Sequence, residues 1–298
     1  MTTTPQRIYT TLKNGGLRHD TLPMRLYHKA KKLGIWDPRD IDLTQDREDW
    51  VRMTDQSKER LLRLILGFQV GEEAVTLDLL PLIMTIAREG RLEEEMFLTT
   101  FLWEEAKHTE FFRRVLDEAL QEPGDLHHLR TVNAQPNNNR DMFGEVLPRE
   151  MNALLTDPSP LNQARASVLY NMIIEGVLAE TGYYNFFQML DETNSMPGLK
   201  QGLRLIQRDE SRHIAYGVFL ISRLVAQDKT LWPPVEERMN KLFAGVESNQ
   251  EQNGTPELVR AYSKQQFQKR LARIRRALDQ SPEQVYQSAD TEEEPVEE

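Results

Sequence analysis

Hydrophobic positions along this 298-residue chain recur every three to four residues rather than every second one, the spacing of amphipathic helices. Leu61-Leu62-Arg63-Leu64-Ile65-Leu66 and Val168-Leu169-Tyr170-Asn171-Met172-Ile173-Ile174 are dense examples. Each runs into a carboxylate, Glu72 and Glu175, where a core residue is due. A lone carboxylate in a core is too costly to keep without compensation, so both acids call for a partner.

The pattern predicts a first long helix from a cap at Asp55 or Ser57 to about Arg88, kinked after Asp78 by Pro81 and closed by Gly90. A second starts in the acids Glu93-Glu94-Glu95, which favour a helix N-terminus, and runs to about Leu120 before Pro123-Gly124. Asp157-Pro158-Ser159-Pro160 opens a third, to about Asn194, and Pro197-Gly198 a fourth, to about Gln227. Shorter helices follow from Pro233-Pro234 to about Glu247 and from Thr255-Pro256 to about Leu278. Residues 1–54 read as an irregular arm with short helices, anchored by Leu26-Tyr27 and Leu33-Gly34-Ile35-Trp36. The Pro-, Gly- and Asn-rich stretch 123–147 reads as a long loop suited to a lid or a partner segment. The organisation expected is all-α: one domain over 1–280, with the bundle at 55–227 and additional helices at 228–280, then a disordered acidic tail at 281–298.

A motif appears twice. Glu104-Glu105-Ala106-Lys107-His108 and Asp209-Glu210-Ser211-Arg212-His213 each read acid, Glu, any residue, base, His. On a helix, residues three apart share a face, so Glu105/His108 and Glu210/His213 each present a carboxylate and an imidazole together. Glu72 lies 33 residues before Glu105, and Glu175 lies 35 before Glu210, enough in each case for one helix, a turn and half of an antiparallel partner. Two helical hairpins thus carry equivalent sets, Glu72/Glu105/His108 and Glu175/Glu210/His213. Together they supply the one-Glu-plus-Glu-x-x-His pattern of a ferritin-like four-helix bundle that holds two metals. Oxygen and nitrogen donors suit iron or manganese, and four carboxylates nearly neutralise two divalent cations, leaving a position for dioxygen or an anionic ligand. Glu104 and Asp209 precede the repeated Glu equivalently and suit a role in orienting the histidines. Glu73 and Glu180 are expected to face solvent, and His19, His28, His127 and His128 lie outside the long helices.

Composition narrows the chemistry. With no cysteine, thiolate sites and disulfides are excluded, which fits a reducing cytoplasm. No run approaches the roughly 20 apolar residues of a membrane span, and the N-terminus lacks a secretory pattern. The net charge of −10 is concentrated in residues 281–298, which hold seven acids and no Lys or Arg. Nucleic-acid binding is not indicated. The exception to the acidity is the last long helix, whose seven bases (Arg260, Lys264, Lys269, Arg270, Arg273, Arg275, Arg276) read as a solvated face or a membrane or partner surface.

Over about residues 55–227 the ligand pattern resembles the ribonucleotide reductase small-subunit superfamily. Radical-donating subunits of the usual kind carry a tyrosine four residues after the first metal-binding His; this chain has Phe112 there. The closer resemblance is to the small-subunit-like ligand-binding oxidases, carried by Tyr170-Asn171-Met172-Ile173-Ile174-Glu175-Gly176-Val177-Leu178-Ala179-Glu180-Thr181-Gly182-Tyr183. It implies a manganese/iron centre (di-iron being compatible), dioxygen activation, a long-chain fatty acid ligand, a homodimer, and an ether cross-link between Val75 and Tyr170. Tyr170 and Glu175, five residues apart, diverge by about 140° on a regular helix, so either the tyrosine reaches around or an inserted π-type turn brings both inward, and an irregular third helix is expected between them. Leu79, Leu80, Met172 and Phe187 are candidate walls for the acyl chain. Two other readings stay open: a radical-supplying subunit, for which Tyr286 resembles a tail relay tyrosine, and a metal or lipid storage or carrier protein.

Overall fold

The computed structural model describes residues 9–13, 15–122, 124–126 and 142–288. Among them every regular element is helical. Thr54 caps the first bundle helix, α3 (Asp55–Asp78), by accepting the Ser57 amide; a hydroxyl in this position contributes about 1 kcal/mol. The helix breaks at Leu79 and resumes as α4 (Leu80–Arg88), with Pro81 in its first turn where no amide is needed. Gly90, at φ +72°, turns the chain into α5 (Leu92–Arg114).

The third bundle helix is composite. It begins as α7 (Pro160–Ser167), widens into a π-helix over Val168–Ala179, and continues as α8 (Glu180–Thr193). The irregularity expected between Tyr170 and Glu175 therefore spans a 12-residue segment. The fourth, α9 (Pro197–Gln227), follows a turn in which Asn194 and Met196 adopt positive φ. That turn is held from outside. Buried Asp46 accepts the amides of Gly198 and Leu199, and Asp49 accepts that of Met196, so carboxylates meet the positive end of the α9 dipole.

These carboxylates belong to the N-terminal arm, which is more ordered than expected: α1 (Leu22–Leu33) packs along α5, and α2 (Thr44–Arg52) against α9. Between the second and third bundle helices lies α6 (Leu147–Ala153). Beyond the bundle, α10 (Trp232–Gln252) and α11 (Glu257–Arg275) cover the π segment. The basic helix α11 is therefore not simply a solvated face: Val259, Phe267, Ile274 and the Arg270 side chain are buried. Part of the segment expected to be a disordered tail is ordered. Residues Pro282–Tyr286 form α12, closed by a Ser281–Gln284 capping box, with Val285 buried. No described helix is long and apolar enough to cross a membrane.

Candidate metal centre

Four helices each send acids inward. Glu72 on α3, Glu105 and His108 on α5, Glu175 in the π segment, and Glu210 and His213 on α9 are all buried. Their donor atoms converge on two groups: Glu72, Glu105, His108 and Glu210, and Glu105, Glu175, Glu210 and His213, the atoms within each lying within 4.8 Å of one another. Glu105 and Glu210 belong to both groups, so each could serve two ions. The structure thus brings all six sequence-predicted residues into one cluster.

Whether cations fit there is answered by the inward-facing atoms. Both Glu105 oxygens, Glu175 Oε1, Glu210 Oε2, and Nδ1 of His108 and of His213 are buried without a well-aligned hydrogen bond, and the two Nδ1 atoms have only the cluster's own carboxylates close by, His213 Nδ1 at 2.9 Å from Glu105 Oε1 and His108 Nδ1 at 3.2 Å from Glu210 Oε1. Groups so placed are costly unless something binds them. The protonation balance says the same. Burial first, then the neighbouring Glu210 charge, push the Glu105 carboxyl up to about 8, and Glu175 is raised well above the usual carboxylate range for the same reasons. For Glu210 burial acts upward too, but His213 and His108 win and bring it down to about 2. Burial disfavours charge on the two histidines, yet the surrounding carboxylates hold both well above the ordinary imidazole value. Protons here stand in for missing positive charge, and two divalent ions would supply it.

The far side of each imidazole is crossed over. His108 Nε2 lies 3.3 Å from Asp209 Oδ2, and His213 Nε2 lies 2.9 Å from Glu104 Oε2. The acid of each motif therefore orients the histidine of the other, directing Nδ1 at the cluster. Buried Arg212 ties the pair together by donating to both Glu104 and Asp209. Asp209 also accepts the Trp36 indole N–H at 2.8 Å and the Lys107 ammonium at 3.1 Å. Lys107 in turn reaches the Gly34 carbonyl, and the lack of a side chain at Gly34 leaves room for Glu104, whose Oε1 would lie 2.0 Å from a Cβ there. Sequence reasoning missed Trp36, Gly34 and Arg212 as parts of the site. The repeated base in the motif was the available signal for Arg212; nothing local marks the other two.

Tyr170 is fully buried beside the cluster and donates its hydroxyl to the Val75 carbonyl at 3.0 Å. Asn171 donates to Glu175 Oε2 at 2.9 Å and accepts from Ser167, holding the ligand end of the π segment. Tyr183 faces Glu72 at 3.4 Å. A cavity of about 310 Å³ adjoins the cluster, lined by Leu64, Phe68, Ile174 and Leu178, with Arg63 and Phe143 among its other lining residues together with Val75 and the acids Glu72, Glu105, Glu175 and Glu210. The expected walls were wrong: Leu79 and Met172 pack in the core, Phe187 packs against the second core cluster, and Leu80 is exposed. Of the proposed lid, residues 127–141 lie outside the described residues, as do His127 and His128.

Other expectations resolve individually. Glu73 is exposed, whereas Glu180 is half-buried and accepts a hydrogen bond from Tyr262. His19 and His28 contact each other, away from the cluster. Phe112 stacks on Phe68 in the core. Tyr286 is not on a free tail; its hydroxyl donates to buried Glu94 at 2.7 Å.

Residues 23–270 match the family model described as ribonucleotide reductase, small chain. The chain is similar to the R2-like ligand-binding oxidase from Sulfolobus acidocaldarius, with 40% identity over 92% of this chain and 97% of that one and a TM-score of 0.83. A variant R2-like ligand-binding oxidase with an anaerobically reconstituted Mn/Fe cofactor matches at 39% identity over 87% of this chain and 96% of that one, TM-score 0.81. Another, aerobically reconstituted, matches at 38% identity over 87% and 95%, TM-score 0.78.

Proposed function

The chain belongs to the ribonucleotide reductase small-chain family, with R2-like ligand-binding oxidases among its relatives, and we propose that it is a dioxygen-using Mn/Fe oxidase that joins Val75 to Tyr170 and binds a long-chain fatty acid. The observation that carries this reading is the Tyr170 hydroxyl resting on the Val75 backbone beside the six-residue cluster.

Glu72, Glu105, His108, Glu175, Glu210 and His213 would hold the two ions, which when bound supply activation of dioxygen and the oxidising power that a tertiary C–H bond demands. This chain's residues supply the positioning. The π-helix turns Tyr170 and Glu175 to the same interior, and the contact with the Val75 carbonyl brings the phenol oxygen to the side chain it is to join. Apolar walls at Leu64, Phe68, Ile174 and Leu178 exclude water, so that the valine rather than solvent is consumed. Ether formation removes one hydrogen each from the Val75 Cβ and the Tyr170 hydroxyl, two electrons and two protons in all. Reduction of dioxygen to water takes four electrons and four protons; two divalent ions, when bound, would supply the other two electrons, and solvent the other two protons.

The same cavity suits the acyl chain, since a carboxylate beside its lining acids reaches the cations while the hydrocarbon lies among apolar side chains. Of the two other readings, the radical-supplying subunit is disfavoured by Phe112 and by the anchored Tyr286. A homodimer is part of the proposal, with exposed Leu77, Leu80 and Met84 as an available apolar face. A cytoplasmic setting is part of it as well. Aerobic assembly with manganese and iron should yield a joined Val75–Tyr170 peptide lighter than its two components by two hydrogens. Recovery of only separate, unmodified peptides from metal-loaded, air-exposed protein overturns the oxidase reading.

A further inference from the structure

A second buried polar cluster lies one helical turn beyond His213. Glu94, on the first turn of α5, is buried with Arg223 against it, and it accepts hydrogen bonds from two tyrosines: Tyr216 at 3.2 Å and Tyr286 at 2.7 Å. Rings connect it to the metal centre. Phe101 stacks on His213 with ring centres 3.6 Å apart, Phe97 lies 6.0 Å from Phe101, and Tyr216 lies 5.1 Å from Phe97. Phe219 then bridges Tyr216, at 5.9 Å, to Tyr286, at 5.1 Å, and the Arg18 guanidinium, 43% exposed, covers the Tyr286 ring. No step of the cross-linking reaction uses this array.

We propose that Tyr216 and Glu94 form a second oxidisable site, which donates one electron to the oxidised dinuclear centre whenever Val75 fails to do so. The inference rests on the oxidase reading. In this step Tyr216 loses one electron, passed through Phe97, Phe101 and His213, while its phenol proton moves along the existing hydrogen bond to Glu94. A neutral tyrosyl radical remains at Tyr216, and the metal pair is reduced by one electron. Tyr286, on the other oxygen of Glu94, can restore Tyr216 by giving up its own electron nearer the surface.

Proton acceptors separate this tyrosine from the two that lie nearer the metals. Oxidising a phenol makes it strongly acidic, so a base must stand within hydrogen-bond reach. Tyr170 donates to a backbone carbonyl, which is far too weak a base to keep the proton. Tyr183 faces Glu72 at 3.4 Å, and Glu72 is a candidate ligand whose charge a cation would take up. Glu94 belongs to neither metal group, so its carboxylate can take a proton without dismantling the cluster.

The test uses the full chain, loaded with manganese and iron and exposed to air in a Val75→Ala/Tyr170→Phe background that lacks both cross-linking partners. Freeze-quenched electron paramagnetic resonance should show a tyrosyl signal whose hyperfine splitting collapses in protein grown on ring-deuterated tyrosine. Adding Tyr216→Phe should abolish it, and Tyr286→Phe should lengthen its lifetime. Dioxygen uptake and metal content are measured on the same samples. Uptake with a tyrosyl signal that survives Tyr216→Phe, or with no tyrosyl signal, overturns this proposal and leaves the oxidase reading intact. Absence of uptake by wild-type protein carrying two metals removes both.

Discussion

The two halves of the metal cluster descend from the same motif but are built differently. On the α3/α5 side Glu72 comes from a regular helix, and His108 stacks on Trp36 with its Nε2 on Asp209, which also holds Lys107, Trp36 and Arg212. On the other side Glu175 comes from a π-helix and is steadied by Asn171, while His213 stacks on Phe101 and its Nε2 meets Glu104, which among the described residues accepts one further hydrogen bond, from Arg212. A duplicated motif therefore does not give equivalent positions. Each offers three carboxylates and one imidazole, so the difference lies in the groups behind the ligands, and those tune affinity and redox behaviour. Such asymmetry would let the two positions treat their ions differently.

The largest effect should come from removing both imidazoles. His108→Ala/His213→Ala is expected to lose both tightly bound ions by metal analysis. The single variants sharpen the comparison, each losing one ion preferentially, and equal loss of both ions from either single variant would make the halves one cooperative unit. Tyr170→Phe should abolish the cross-link in peptide mass maps yet keep two metals, because the phenol oxygen is not among the converging donors.

Smaller effects distinguish the outer groups. Asp209→Asn, acting on His108, and Glu104→Gln, acting on His213, should each weaken metal binding about 10- to 100-fold at its own position. Arg212→Lys should weaken both, since the guanidinium contacts both acids and an ammonium cannot reproduce that fork. Competition titrations with a chelator read these differences, and an Asp209→Asn effect confined to the His213 side would break the crossed assignment.

The smallest expected effect is on pH dependence of stability without metals. Glu105, Glu175 and the two histidines all have folded values above their ordinary ones, so the folded protein holds more protons than the unfolded chain between about pH 5 and 8. Stability then falls as pH rises through that window. Glu210, shifted down to about 2, acts oppositely but only below its ordinary value. Melting temperatures of metal-free protein should therefore drop from pH 5 to 8, while the gain on adding manganese and iron grows over the same range. Melting that is flat or rises with pH in chelated protein would contradict the proton balance drawn for the cluster.

The sequence by itself determined the helices and the six candidate ligands, for physical reasons that are local. Helical periodicity, prolines at Pro81, Pro160 and Pro197, and the i, i+3 geometry of Glu105/His108 and Glu210/His213 act within a few residues, and a carboxylate in an apolar run is conspicuous wherever it occurs. The irregularity of the third helix was legible too, because Tyr170 and Glu175 cannot easily point to one interior from a straight helix; that it takes the form of a π-helix was decided by the structure. What lay outside the sequence were the contacts set by how the helices cross, beyond the cluster that the duplicated motif announced. The cavity beside the cluster depends on which helix faces meet, so Leu79 and Met172 could not be told from Leu64 and Ile174 by spacing. The crossed pairs Glu104–His213 and Asp209–His108, and the entry of Trp36 and Gly34 from the arm, follow from how helices cross rather than from any one helix. Nor did composition reveal that Val285 and Tyr286 dock: two apolar side chains in an acidic tail hold it only because the surface of α9 and the buried Glu94 lie there to receive them.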